Sequence, residues 1–459
     1  MNRATRRQFL AATASAVGIS ALNRLGIAAA PARPNIIIIV ADDLGYADLG
    51  CQGCRDIPTP NIDSIAANGL RCTAAYVSCP VCSPTRAGLL TGRYQQRFGH
   101  EFNPGPAQAA SEQFGLPLTE VTLADRLKEV GYATGLVGKW HLGYKPQYHP
   151  LKRGFDEFYG FLGGAHAYLN NKAGDANPIY HGTTPLTESE YLTDALGRRA
   201  IAFVERHKNR PFYLHLTFNA VHLPQQATEK YLRRFENIPD PTRRKMAAQL
   251  SAMDDAIGGV IARLKEIGAY ENTLIFFISD NGGPTPRNGS KNTPFSGTKG
   301  QVREGGIRVP FLLQWNNRLP IGKTYPNPLI ALDIHATCLA AADWDGQIAP
   351  DKRLDGANLL PFLRGEQEGL PHDKLFWRFG PQSAVRDRRY KLERINGIEQ
   401  LYDLDSDPGE KQDLLSHKPE VAKVLRDAWA TWNAQLVEPL WKRPNRPGQR
   451  IRAARSRPA

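Results

Sequence analysis

SCPVCSPTRAGLLTGR, residues 78–93, is the stretch that the rest of the chain is organised around. Its core is Cys-x-Pro-x-Arg, formed by Cys82, Pro84 and Arg86. The pattern predicts a helix over 83–91, because a proline near a helix start sacrifices little by lacking an N–H. The N-terminus of that helix favours anions and lies beside Cys82. One turn further along, Arg86 is expected to hold negative charge next to residue 82.

This segment resembles the signature of the sulfatase family, in which Thr91-Gly92-Arg93 follows the core at a fixed distance. The resemblance implies that Cys82 is oxidised to formylglycine, an aldehyde, by a formylglycine-generating enzyme. One hydroxyl of the hydrated aldehyde attacks the sulfur of a sulfate ester, and the other then expels the sulfate. The competing interpretation is a buried cysteine at a helix start. Matching residues elsewhere in the chain argue against it.

Two apolar runs, residues 35–40 and 274–279, are typical of strands buried on both faces. The first is followed by an Asp-Asp pair and the second by Asp-Asn. Open α/β sheets bind ligands at the carboxyl ends of their strands, and hard oxygen donors suit Ca²⁺, or Mg²⁺, rather than Zn²⁺. In sulfatases the corresponding strand ends hold the metal. The resemblance implies these metal ligands: Asp42, Asp43, Asp280, Asn281 and an oxygen on residue 82.

A Gly-Lys-Trp-His-Leu-Gly motif follows a predicted strand at 133–137. If the chain stays extended there, Lys139 and His141 point the same way. In sulfatases this motif supplies a lysine to the sulfate and the aldehyde, and a histidine beside the diol, and the resemblance implies those roles here. It also implies a second active-site histidine at His222 and a sulfate-binding lysine at Lys299.

Residues 144–188 lack a clear hydrophobic period and contain many Gly, Asn, His and Tyr residues. Because loops on a rigid scaffold commonly set specificity, His166, Tyr168 and Asn170 are candidates for the substrate pocket. In contrast, His215 lies inside a predicted strand and is expected to be a packed structural residue.

Two Cys-x-x-Cys pairs, Cys51/Cys54 and Cys79/Cys82, raise the alternatives of a zinc site or a redox pair. The 24 residues between the pairs exceed the usual zinc-ribbon spacing, and the second pair overlaps the Cys-x-Pro-x-Arg motif. A Cys51–Cys54 disulfide formed after export is the other alternative.

The formal charge of +13 is concentrated at the two ends of the 459-residue chain. Residues 1–30 contain four basic residues and residues 442–459 contain seven, with no acidic residue in either segment. The remainder is nearly neutral, so nucleic-acid binding is not indicated. Residues 5–10, TRRQFL, resemble a twin-arginine export motif, and a short apolar run follows. No stretch is long enough to span a membrane. We expect a periplasmic or secreted protein that uses the twin-arginine machinery.

The resemblance to sulfatases extends over about residues 34–437 and implies the fold, an alkaline-phosphatase-like α/β/α sandwich with a smaller C-terminal α+β domain. The predicted domains are a signal peptide (1–32), a catalytic domain (33–365), a C-terminal domain (366–440) and a basic disordered tail (441–459). The predicted function is hydrolysis of aryl or carbohydrate sulfate esters, in sulfated small molecules or glycans. Two alternatives stay open: a phosphate or phosphonate ester hydrolase of the same superfamily, and an exported, non-catalytic sulfoglycan-binding protein.

Overall fold

Strand β1 (Asn35–Ala41) lies near the middle of a ten-stranded sheet in a computed structural model that describes residues 33–442. Its side chains alternate between two hydrophobic clusters: Ile36 and Ile38 belong to one, Ile37 and Ile39 to the other. This alternation is expected of a strand buried on both faces, as its β-branched sequence predicts. The predicted signal peptide lies outside the described residues, as does most of the predicted basic tail.

The other strands are β2 (Leu70–Cys72), β3 (Ala75–Tyr76), β4 (Ala133–Lys139), β5 (Glu157–Phe161), β6 (Ile179–His181), β7 (Thr184–Leu186), β8 (Phe212–Thr217), β9 (Thr273–Ser279), β10 (Phe311–Gln314), β11 (Lys323–Tyr325), β12 (Leu329–Ile330), β13 (Leu375–Phe379), β14 (Gln382–Arg386), β15 (Tyr390–Ile395) and β16 (Ile398–Asp403). The large sheet has the order β11-β2-β10-β9-β1-β8-β4-β5-β6-β7. Its central strands β9, β1, β8, β4 and β5 are parallel to one another. Their carboxyl ends therefore lie at one edge of the sheet.

The helices are α1 (Pro60–Ala67), α2 (Cys82–Thr91), α3 (Leu123–Glu129), α4 (Leu192–Arg206), α5 (Glu229–Leu232), α6 (Pro241–Glu266), α7 (Glu304–Ile307), α8 (Asp333–Ala341), α9 (Leu360–Arg364) and α10 (Pro419–Asn433). Buried residues of α2, α3 and α8 belong to one cluster beside the sheet, and those of α4 and α6 belong to the other. Helices on both faces of a mainly parallel sheet confirm the predicted α/β sandwich. No helix of the described residues is long and apolar enough to cross a membrane.

Strands β13 to β16 form a separate four-stranded antiparallel sheet. Ala422 and Leu425 of α10 pack on Val385, Leu392 and Leu401 from this sheet, which confirms the predicted smaller α+β part. Strands β5, β6 and β7 lie within residues 144–188. The sequence shows no clear periodicity there, because each strand is too short to show alternation. Trp441, the first residue of the predicted tail, is buried.

Candidate active site

The Asp-Asp and Asp-Asn pairs meet where the adjacent parallel strands β1 and β9 end. The backbone N–H of Asp43 donates to Asp280 Oδ1 over 3.3 Å, and Asn281 Nδ2 donates to Asp43 Oδ1 over 2.8 Å. All four side chains are at most 2% exposed. The two strand ends therefore form one buried cluster of carboxylates and a carboxamide.

Cys82 is the first residue of α2, one residue before the predicted helix start. Its Sγ lies 3.5 Å from Asp42 Oδ1 and 3.2 Å from Lys299 Nζ. The next residue, Ser83, fixes the helix start: its N–H donates to Asn103 Oδ1 over 3.0 Å, and its hydroxyl donates to the His141 carbonyl over 2.6 Å. The helix N-terminus thus faces the carboxylate cluster, and every residue of α2 is buried.

A cation accompanies each carboxylate of the cluster. Lys139 Nζ lies 2.6 Å from Asp42 Oδ2, and Lys299 Nζ lies 2.5 Å from Asp43 Oδ1. For Asp280, two nitrogens of the Arg86 guanidinium bind Oδ2 over 3.0 and 2.8 Å. The negative charge that Arg86 holds is therefore that of Asp280. Buried charges persist only when they are paired and hydrogen-bonded in this way.

Burial and these charges shift the proton affinities of the site. Burial alone would raise the pKa of Asp42, but Lys139 and the other nearby cations hold it well below its usual range. Burial and the charge of Asp42 raise the pKa of Asp280. Burial and the charge of Asp280 raise the pKa of Cys82 to about 12. The Cys82 thiol is therefore protonated at neutral pH and is a poor nucleophile as it stands.

His141 lies just past the end of β4, but the expected extended conformation is wrong: its φ is +60°, in the left-handed region. The imidazole packs against Gly164, where an added Cβ would lie 2.4 Å from Nε2. Its Nδ1 is buried and has no hydrogen-bond partner. Burial and the charge of Lys139 lower the pKa of His141 well below its usual range. The ring is therefore a neutral imidazole that can accept a proton.

His222 follows β8 and reaches the same cluster. Its Nδ1 lies 2.6 Å from the Leu223 carbonyl and must donate to it, since a carbonyl only accepts. Nε2 lies 3.6 Å from Asp43 Oδ2. Nε2 is therefore the ring nitrogen that faces the carboxylate cluster. At 18% side-chain exposure, against 0% for Lys139, His222 lies nearer the opening of the site.

Of the three pocket candidates, the structure excludes Tyr168, which is fully buried. Its hydroxyl contacts the carbonyls of Asn219 and His222 at 2.7 and 2.9 Å, so it holds the segment that carries His222. His166 is also buried, with both ring nitrogens on backbone carbonyls. Asn170 is exposed. The glycine-rich sequence around these three residues is typical of a loop. It does not show that the side chains of His166 and Tyr168 are buried, because their burial results from tertiary contacts.

The structure bears on the expectations for His215, for a Cys51–Cys54 disulfide and for a zinc site. His215 is buried in β8 beside the Tyr213 hydroxyl, as expected of a structural residue. Cys51 and Cys54 are free thiols, so the structure contains no disulfide between them. Cys54 instead contacts Asp56 and Arg243. The four residues of the zinc alternative do not form a metal-capable group among residues 33–442.

The donors at the strand ends fit a hard cation. Ligand atoms of Asp42, Asp43, Cys82 and His222 lie within 4.8 Å of one another, the only such group found in the described part of the chain. Asn281 Oδ1 is fully buried without a hydrogen-bond partner, and a bound cation would satisfy it. His222 is an addition that the sequence did not suggest as a neighbour of the metal ligands.

Comparison with known proteins identifies this arrangement. The family model described as Sulfatase matches residues 34–344. N-acetylgalactosamine-6-sulfatase of Canis lupus familiaris is 35% identical over 366 residues, which are 75% of this chain and 68% of that protein. The fold and these matches define the class, a sulfuric ester hydrolase with an alkaline-phosphatase-like fold. The chain belongs to the sulfatase family.

Solved structures of other proteins have a similar fold. The crystal structure of Ps i-CgsB in complex with k-i-k-neocarrahexaose is similar with a TM-score of 0.84 and 36% sequence identity, over 89% of this chain and 94% of that one. The phosphonate monoester hydrolase of Agrobacterium radiobacter has a TM-score of 0.65 at 21% identity, over 88% of this chain and 96% of that one. The second likeness shows the fold alone.

Proposed function

We propose that this sulfatase hydrolyses carbohydrate sulfate esters with formylglycine at residue 82 and a bound Ca²⁺, with Mg²⁺ as the alternative ion. The observation that carries the proposal is the position of Cys82 Sγ, 3.5 Å from Asp42 Oδ1 and 3.2 Å from Lys299 Nζ in a buried site. A thiol whose pKa is raised to about 12 is unsuited to attack at neutral pH. Conversion to a hydrated aldehyde removes that obstacle.

The metal would be held by Asp42, Asp43, Asp280, Asn281 and an oxygen on residue 82. When bound, the cation would supply positive charge to the sulfate oxygens and favour ionisation of the attacking hydroxyl. The hydrated aldehyde offers one hydroxyl to attack sulfur and a second hydroxyl whose deprotonation releases the sulfate.

Lys139 and Lys299 are proposed to neutralise sulfate oxygens. Each already donates to a carboxylate at the centre of the site, so an anion bound there meets two preoriented ammonium groups. Burial makes such charges more effective than they would be in water. Arg86 acts indirectly, because its ion pair with Asp280 holds that carboxylate in position.

The two histidines are assigned opposite proton transfers. His222 turns Nε2 toward the cluster and lies nearer the opening, where the leaving alcohol would depart, so it is proposed to protonate that oxygen. His141 is neutral because its pKa is lowered. It is therefore proposed to take the proton from the second hydroxyl of the diol.

Two of the similar proteins favour a sugar substrate. One is an N-acetylgalactosamine-6-sulfatase, and Ps i-CgsB is bound to a neocarrahexaose. A suitable panel comprises N-acetylgalactosamine 6-sulfate, sulfated carrageenan oligosaccharides, 4-nitrophenyl sulfate and 4-nitrophenyl phosphate. We expect the highest kcat/KM on a sulfated sugar. A higher value on the phosphate than on the matched sulfate would contradict the proposal and favour the phosphate-hydrolase alternative.

Export through the twin-arginine pathway is proposed from residues 5–10. The test is fractionation of cells expressing the full chain, with Arg6→Lys/Arg7→Lys as the matched variant. The wild type is expected in the periplasm or medium and the variant in the cytoplasm. Equal distributions would contradict this proposal and leave the catalytic one intact.

A further inference from the structure

The segment that carries Lys299 is held in place from the C-terminal sheet. Gln382, the first residue of β14, has its side-chain carboxamide against this segment and is 8% exposed. Its Nε2 donates to the Gly300 carbonyl over 2.9 Å, and its Oε1 accepts the Val302 N–H over 3.2 Å. One side chain thus satisfies two backbone groups, one to three residues beyond the active-site lysine.

The opposite side of Gly300 contacts the segment before the nucleophile. The Gly300 N–H donates to the Pro80 carbonyl over 2.8 Å, two residues before Cys82. Gly300 has φ +86°, a conformation that favours glycine. The residue after Lys299 is therefore fixed between Gln382 and the backbone that leads into α2.

Glu410, in the loop that follows β16, holds both flanks of the segment. Glu410 accepts the Ser296 hydroxyl and the Glu304 N–H with Oε2, and the Lys391 ammonium with Oε1 over 2.6 Å. Glu410 therefore limits the ends of the segment, whereas Gln382 acts at its centre. A long, flexible lysine side chain gains accuracy only when its backbone is fixed in this way.

We propose that Gln382 is a positioning residue for Lys299, acting from the C-terminal sheet through the Gly300–Val302 backbone. The inference rests on the proposed role of Lys299. The chemistry explains the residue type: a carboxamide offers a donor and an acceptor together, which an ionised glutamate and an aliphatic side chain do not. Gln382 itself does not contact the reacting atoms.

The direct test compares Gln382→Met with Gln96→Met. Gln96 is a matched control, because it is buried and donates to the Arg378 carbonyl of the same sheet, but it holds no segment that carries an active-site residue. We expect kcat to fall about tenfold or more in Gln382→Met, since small misplacements near a reaction are costly. Gln96→Met should keep wild-type kcat at a similar shift in melting temperature. Equal effects on kcat would overturn the inference.

Two further measurements separate positioning from general support. In Gln382→Glu, the loss should shrink as pH falls, because a protonated carboxyl regains a donor. In a Lys299→Ala background, Gln382→Met should have almost no further effect on kcat, as coupled residues are non-additive. Full additivity would contradict the inference.

A crystal structure of Gln382→Met gives a readout that needs no turnover. The Lys299 Nζ–Asp43 Oδ1 distance, 2.5 Å in the native site, is expected to lengthen beyond hydrogen-bond range. An unchanged distance would reject the inference alone. Inactivity of the wild type on the whole substrate panel would instead reject the proposed function.

Discussion

At the scale of single residues, the site is a set of buried ion pairs. Each charged group in it could exchange its present partner for a metal ion or for the sulfate. Lys139 and Lys299 bind carboxylate oxygens of Asp42 and Asp43, the residues proposed to bind the metal. A metal ion and an anionic substrate would divide these contacts between them, the carboxylates taking the cation and the ammonium groups the sulfate. The three carboxylates balance the three basic side chains, and the sulfate would offset part of the charge that the metal adds, which lowers the cost of burial.

Cys82 is expected to be an aldehyde in active protein. Peptide mass spectrometry and hydrazide labelling should detect formylglycine at this position, and Cys82→Ala should lose all activity. Cys79→Ala, three residues away, is the matched control and should keep most activity. Full activity from protein that contains only the unmodified cysteine would contradict the mechanism. A folded but inactive Cys79→Ala would favour a dithiol function.

Replacement of His222 and of His141 should slow different steps of the reaction. His222→Ala is expected to slow sugar sulfates more than activated aryl sulfates, because poor leaving groups need the acid most. His141→Ala should instead release about one equivalent of alcohol per site in a rapid burst and then turn over slowly. Rapid-quench kinetics on both substrate classes provide the measurement. Equal losses for His222→Ala on the two classes would show that it only binds.

Tyr168→Phe should reduce activity without removing any group that contacts substrate. The lost hydroxyl holds the Asn219 and His222 carbonyls, so we expect kcat to fall about threefold to tenfold, more on sugar sulfates than on aryl sulfates. Tyr191→Phe is the control, since Tyr191 is buried nearby but its hydroxyl binds the Gln226 carbonyl instead. A similar kcat in both variants would argue against the positioning role.

At the scale of elements, strand ends and one helix start decide the chemistry, and these are what the sequence predicts best. The runs that became β1 and β9 are continuous and β-branched or aromatic, so burial on both faces follows from composition. Asp42 and Asp280 then come together because parallel neighbours end at one edge. The positive φ of His141 could not be predicted, because its backbone N–H donates to the Leu162 carbonyl and its ring packs against Gly164, and the local sequence does not reveal these tertiary contacts.

Strand β15 contains a carboxyl group that should make stability depend on pH. Burial raises the pKa of Glu393 to about 7, although Lys391 and Arg303 lower it; Glu410 and Glu304 raise it further. The folded state thus binds the proton more tightly than the unfolded chain, so this contribution to stability is present at low pH and is lost as pH rises through about 7. The loss is about 3 kcal/mol by linkage.

Glu393→Gln should therefore flatten the fall of the unfolding free energy between about pH 5 and pH 8. Denaturant titrations across that range provide the measurement. Glu368→Gln changes an exposed glutamate of the chain and serves as the control. If both variants retained the wild-type slope, the buried carboxyl of Glu393 would not be its source.

At the scale of the whole molecule, metal removal should lower both activity and stability. A ligand that binds only the folded state stabilises it by about 2.7 kcal/mol at one hundred times its Kd. Chelation is expected to abolish turnover and lower the melting temperature, and Ca²⁺ or Mg²⁺ should restore both. Asn281→Ala should weaken the response of melting temperature to the ion. Stoichiometric zinc bound through cysteines would contradict the proposed site.

The sandwich and the smaller C-terminal sheet were predictable mainly from the resemblance to sulfatases, and the continuous apolar runs at residues 35–40 and 274–279 independently predicted the buried central strands. The contact of Gln382 with Gly300 was not, since the two residues are 82 positions apart and a glutamine at a strand start carries no signal of its own. Tyr168 was misassigned for a related reason: composition cannot tell an exposed loop from one whose tyrosine points inward. The domain boundary near residue 365 and the signal peptide stay predictions.

The complete burial of α2 also limits when the proposed oxidation of Cys82 can occur. If Cys82 is oxidised as proposed, the enzyme responsible must reach it before folding buries every residue of α2. Under this proposal, oxidation and folding would compete for the same nascent chain, and the active fraction of a preparation would report which was faster. Slower synthesis or lower temperature should yield more active molecules per folded molecule, and no treatment of the finished fold should recover the others.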